Sequence, residues 1–149
     1  MVSRVVLLDA GPLGLASNPK RSATADECNR WLRALIAVGT RVVVPEVADY
    51  EVRRELLRAG KAGGLARLDA LGGTLEYLPI TTAAMRRAAE LWADARKAGR
   101  PTAGAQSLDA DVILAAQALM IGADDVVVAT TNAAHLGRYV AASLWNSIS

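Results

Sequence analysis

The sequence predicts an α/β fold built on a mostly parallel central sheet. Short, continuous apolar runs recur along the chain, at Val5-Val6-Leu7-Leu8, Val42-Val43-Val44 and Val126-Val127-Val128-Ala129. Longer segments with apolar residues at helical spacing separate them. An uninterrupted apolar run reads as a strand buried on both faces, which requires helices packed above and below the sheet. Strands alternating with helices are the pattern of that class. The 149 residues are 52% hydrophobic, enough for one domain, residues 1–149, that folds without disulfide or metal staples.

The first strand, through Leu8, is followed by Gly11-Pro12, read as loop punctuation like the other Gly and Pro residues. A helix is expected from Thr24 to Val38, with Trp31, Leu32, Leu35 and Ile36 on its apolar stripe and Gly39 as its stop. The second strand, Val42 to Val44, ends at Pro45, which is well placed to open a helix from Glu46 to Arg58. A short helix from Lys61 to Leu71, a weak strand from Leu75 to Leu78 and a long helix from Thr81 to Lys97 follow. The segment from Asp109 to Ile121 is apolar nearly all round beyond Asp111, so it is expected to be a central, buried helix. Val126 to Ala129 gives a fourth strand and Ser143 to Trp145 a fifth.

Composition removes several functions. One Cys, Cys28, excludes a disulfide framework and a Cys-rich zinc module; one His, His135, excludes a multi-histidine metal site. With no Phe, three Trp and three Tyr, a base-stacking sheet is not expected. Lys and Arg total 17 against 15 Asp and Glu, a mildly basic balance compatible with nucleic acid. No apolar run reaches the length of a signal peptide or of a membrane helix, so the expectation is a cytoplasmic protein with no membrane association.

In parallel α/β sheets ligands bind beyond the carboxyl ends of the strands. Asp9 directly follows the first strand, Glu51 lies in the second turn of the helix after the second, and Asn132 follows the fourth, behind Thr130 and Thr131. Asp109 and Asp111 open the buried helix that feeds the fourth strand. Each has an ordinary structural explanation: a turn for Asp9, caps for Asp109 and Asp111, an N-cap region for Thr130 to Asn132. Glu51 is the hardest to explain that way. It falls on the helical arc of Val47, Ala48 and Val52, as does Glu55, where a carboxylate needs an arginine partner or a cation. Converging carboxylates repel unless something positive joins them. A hard divalent ion such as Mg²⁺ or Mn²⁺ suits an all-oxygen site, and such a site activates water for attack on a phosphodiester.

These four segments together resemble the PIN-domain family, specifically its VapC-like branch of toxin ribonucleases. Leu7-Leu8-Asp9-Ala10-Gly11-Pro12-Leu13 is similar to the opening strand with its first Asp, and Pro45 through Glu51 to Leu56 to the second motif. Asp111 heading Val-Ile-Leu-Ala-Ala-Gln-Ala is similar to the third, and Val127 to Asn132 with His135-Leu136 to the fourth. The resemblance implies a three-layer α/β/α fold and a metal-dependent ribonuclease acting on single-stranded RNA, the toxin of a toxin–antitoxin pair. It further implies an antitoxin protein as partner, a homodimer, and Asp9, Glu51 and Asp111 as acidic Mg²⁺ or Mn²⁺ ligands. Asn132 stands where the family has Asp or Asn, and Asp109 is an extra acid able to share the metal. Two departures stand out: Ala10 replaces a common Ser or Thr after the first Asp, and Asn132 carries no charge.

Arg53, Arg54, Arg58 and Lys61 are read either as phosphate contacts or as a solvated helix face. Arg86, Arg87 and the Arg96-Lys97-Arg100 cluster are read as solvated. His135 is expected to be structural or to act through another residue, and Trp31, Trp92 and Trp145 to be core or interface anchors. The rival reading is a non-catalytic PIN-fold module that binds RNA or protein. A phosphatase with an Asp nucleophile is disfavoured because Gly11 stands where a second Asp is needed, and no Gly-rich phosphate loop is present.

Overall fold

The computed structural model describes residues 4–99 and 105–149, with backbone alone for residues 105–108. Arg100 of the expected basic cluster lies outside the described residues. The strands are β1 (Val5–Leu8), β2 (Arg41–Pro45), β3 (Glu76–Leu78), β4 (Val126–Thr130) and β5 (Ala142–Leu144). They form one five-stranded sheet in the order β3-β2-β1-β4-β5, parallel throughout. The helices are α1 (Ala10–Ser17), α2 (Ala23–Ala37), α3 (Glu46–Arg58), α4 (Ala62–Thr74), α5 (Thr82–Lys97), α6 (Ala105–Leu119) and the single turn α7 (Ala133–Leu136).

The continuous apolar runs are explained by cores on both faces of the sheet. Val6, Leu8, Val42, Val44, Val127 and Ala129 point to one side, against α1, α2 and α4. Val5, Leu7, Val43 and Val128 point to the other, against Leu114 and Ala118 of α6. The opposite face of α6 packs Val112, Ala115 and Ala116 against Ala84, Ala88 and Leu91 of α5. Helix α6 is therefore apolar all round because it is enclosed between the sheet and another helix. Beyond Asp111, Gln117 is its polar exception. Only 1% exposed, it accepts from the Val47 amide at 3.3 Å and donates to the Leu78 carbonyl at 2.8 Å, so both ends of its amide are satisfied.

Several elements differ from the sequence expectation. Gly11, Pro12 and Gly14 lie inside α1 rather than in a loop. Pro12 occupies the first turn, where its missing N–H costs no helical hydrogen bond, and Asp9 caps the helix by accepting from Ala10 N at 2.7 Å. Gly11 is required by proximity: a Cβ there would come within 2.5 Å of the Thr131 side chain. Likewise Gly63, Gly64, Gly72 and Gly73 are helical, and a Cβ on Gly64 would meet Leu56 at 2.6 Å. Helix α6 begins a turn earlier than expected, so Asp109 and Asp111 do not cap its start. Gly39 stops α2 as expected, at φ 83°.

Candidate metal centre

The order of the strands reverses between β1 and β4, which places the crevice of a parallel sheet at their carboxyl ends. Asp9 leaves β1 there. Its backbone N–H donates to the Ala129 carbonyl at 2.9 Å. Its carboxylate accepts from Ala10 N at 2.7 Å and from the Thr130 hydroxyl at 2.7 Å. Thr130 is 1% exposed, so this hydroxyl is a fixed donor. In sequence Thr130 reads as part of a cap; its contact with Asp9 follows from the pairing of β1 with β4.

Glu51 and Asp111 face the same crevice from α3 and α6. Glu51 is half-buried, and its carboxyl is pushed up to about 7, first by burial and then by the charges of Asp9 and Asp111, against a lowering by Arg54. Asp111 is pushed up to about 6, first by burial and then by Asp9, while His135 pulls it down. Glu51 thus feels both Asp9 and Asp111, and Asp111 feels Asp9. Among the described residues no arginine pairs with Glu51; Arg54 lies over the Tyr50 ring at 5.1 Å. Glu55, expected on the buried arc, is exposed and holds Arg58 at 2.8 Å. Arg53 is engaged by Asp49 and Asp69 at 3.1 and 2.7 Å.

Asp109 is exposed, about 200° around α6 from Asp111, and is not among the charges that shift Glu51 or Asp111. Asn132 is exposed and caps α7, its Oδ1 accepting from Ala134 N at 3.2 Å; its own N–H donates to Thr130 Oγ1 at 3.2 Å. His135, on α7, stands within electrostatic reach of Asp111. Trp31 and Trp145 meet edge to face, centroids 5.5 Å apart, in the core below the α1–α2 face, whereas Trp92 is a surface residue under Arg96. A groove of about 530 Å³ leads away from Glu51 and Ala10 between α1 and α3, past Val52 and Leu56 to Lys20 and Lys61.

The donor set suits a hard divalent cation: three oxygen-bearing acids with, among the described residues, no arginine salt-bridged to them. Among the described residues no three Asp, Glu, His or Cys side chains stand close enough to grip one ion together. Mg²⁺ is commonly held by one or two carboxylates with water completing its shell, so a full cage is not required.

The family model for the PIN domain matches residues 7–138. This chain belongs to the PIN-domain family. Its fold is similar to the solved VapBC2 complex of Rickettsia felis, bound to a DNA fragment from its promoter: TM-score 0.71 and 16% identity over 95% of this chain and 98% of that one. The DNA-bound VapBC of Salmonella typhimurium matches with TM-score 0.68 and 18% identity over 97% and 99%. The sarcin-ricin-loop-cleaving toxin VapC20 of Mycobacterium tuberculosis matches with TM-score 0.63 and 15% identity over 91% and 96%. No curated protein sequence matches the chain. Among the described residues, no helix is long and apolar enough to cross a membrane.

Proposed function

We propose that this PIN domain is a Mg²⁺- or Mn²⁺-dependent endoribonuclease that hydrolyses single-stranded RNA, acting as the toxin of a toxin–antitoxin pair. The observation that carries the reading is the crevice where Glu51 and Asp111 are half-buried beside Asp9 and, among the described residues, no arginine pairs with them. Family membership and the likeness to VapBC complexes support it at the level of the family and point to an antitoxin partner. The homodimer remains part of this proposal.

Asp9, Glu51 and Asp111 would hold the cation, directly or through water, and when bound it makes water nucleophilic at neutral pH and steadies the leaving oxygen. Thr130 and the Ala10 amide hold the Asp9 carboxylate in one orientation. Asn132, anchored at the head of α7, would complete the shell directly or through water. Asp109 faces away from Asp111, so its share in the metal would need a second ion or an intervening water.

The rival, a non-catalytic binding module, has one observation in its favour, the lack of a ready three-ligand grip. An RNA cleavage assay with Mn²⁺ and with chelator separates the two. Metal-dependent cutting is expected, lost by more than about a hundredfold in Asp9→Asn or Asp111→Asn, beyond the cost of altering outer partners. Wild-type cutting by either folded variant removes the assignment. Thermal melts give a readout free of substrate. Metal at about a hundred times its Kd adds about 2.7 kcal/mol, a rise of several degrees, to the wild type. An equal rise in Asp111→Asn would sink the shared site.

A further inference from the structure

We infer that the hollow between the amino-terminal half of α2 and α4 binds the phosphate backbone of RNA beside the acidic crevice; the choice of RNA rests on the ribonuclease reading above. The hollow measures about 430 Å³, and its charged lining is Lys20, Arg21, Arg30, Arg33 and Arg67 against a single carboxylate, Asp26. Arg21 holds Asp26 at 3.2 Å, and Arg67 donates to the Asn18 carbonyl at 2.8 Å. Among the described residues no carboxylate pairs with Lys20, Arg30 or Arg33. Elsewhere Arg41, Arg53, Arg58 and Arg87 each hold an acid. Cations gathered in a concave wall raise the local potential and collect anions.

The shape of the surface says which anion. The hollow shares Asn18 and Lys20 with the groove that runs to Glu51, so crevice, groove and hollow form one path. A strand whose scissile phosphate lay at the acids would extend its neighbouring phosphates along that path. An acidic crevice repels a polyanion, and a basic site next to it supplies the grip that the crevice lacks. No aromatic ring lines the hollow, so it has no stacking platform and contacts the backbone without reading bases.

The test is binding of poly(U) to the full chain in chelator, by fluorescence anisotropy across a salt series, so that affinity is read without cleavage. Arg30→Gln with Arg33→Gln removes two exposed charges, and an unchanged melting temperature certifies the fold. The pair should weaken binding by about tenfold and flatten the log–log salt dependence by about 1.4, the share of two contacts to a single strand. Arg30→Lys with Arg33→Lys should restore most of both. Wild-type affinity and slope in the glutamine pair would overturn the assignment. So would a loss confined to polyglutamate with poly(U) binding intact, which would make the hollow a seat for an acidic protein segment. A chain that binds poly(U) through the hollow but never cuts RNA with metal overturns the ribonuclease reading and leaves this one standing; a chain that cuts but binds equally in the glutamine pair does the reverse.

Discussion

Asp49 and Glu51 sit two residues apart on α3 and have opposite fates. Asp49, with its side chain 13% exposed, accepts from Arg53 at 3.1 Å and from the Tyr77 hydroxyl at 2.9 Å. Arg53 passes on to Asp69 at 2.7 Å, and the Tyr77 phenol is held well above its ordinary range by burial and then by its bond to Asp49. Every charge in that cluster has a partner. Glu51, about 200° away on the same helix, is half-buried and meets like charges instead. A buried acid with partners is structure; a buried acid facing other acids stores a demand for a proton or a cation.

Four experiments sharpen that contrast. Thr130→Val removes one of the two donors on Asp9 at constant volume, and RNA cleavage should fall by about ten- to a hundredfold, the usual cost of losing an outer partner of a metal ligand. Steady-state rates with saturating Mn²⁺ check it; a wild-type rate would mean that the Ala10 amide alone orients Asp9. Asp49→Ala strips Tyr77 of its hydrogen-bond partner and leaves Arg53 with Asp69 alone, and should cost about 2 kcal/mol of stability, several degrees of Tm, while the folded fraction still cuts at the wild-type level.

Glu51→Gln should act with the opposite sign. The folded pKa of Glu51, about 7, lies above the ordinary 4.5. Ionisation therefore destabilises the fold: the cost is absent at low pH, grows as pH rises from about 4.5 to about 7, and is constant above. In chelator the glutamine variant should melt a few degrees higher than the wild type near pH 8 and coincide with it near pH 4. A higher wild-type melt at pH 8 would show that Glu51 has a hidden cationic partner. The smallest effect belongs to His135→Ala, since a metal site does not need an imidazole to activate water. Cleavage should drop by only a few-fold, and a loss equal to that of Asp9→Asn with the metal-induced melting shift intact would assign His135 a proton-transfer role.

Much of this molecule was legible in its sequence, and the exceptions have physical causes. The apolar runs at Val5, Val42 and Val126 announced strands because both faces of the sheet are covered. The start of α3 at Glu46 was legible from Pro45 ahead of it, and Gly60, at φ 66°, follows its end. Helix α1 was hidden because Gly11, Pro12 and Gly14 oppose helix by propensity; the Asp9 cap and burial of Leu13 and Ala16 override that preference, and close approach to Thr131 demands the glycine. Helix α7 is a single turn, too short to carry a period. At the site, Asp9, Glu51 and Asp111 could be named because acids at strand ends and on apolar arcs are conspicuous. Thr130 could not, since its contact with Asp9 spans 121 residues and depends on strand order. Asp109 was grouped with Asp111 by nearness in sequence, which a helix turns into opposite directions.

Gln117 gives the crevice its mechanical character. It fastens α6 to the first turn of α3 and to the end of β3 at once, a strut between the helices that carry Asp111 and Glu51. Two repelling charges on separate bodies ordinarily relieve their energy by drifting apart. Here drift would strip a buried amide of both its partners, so the distance is effectively clamped. The repulsion is then relieved by a proton on one of the acids, or by the cation proposed above, and not by movement of the helices.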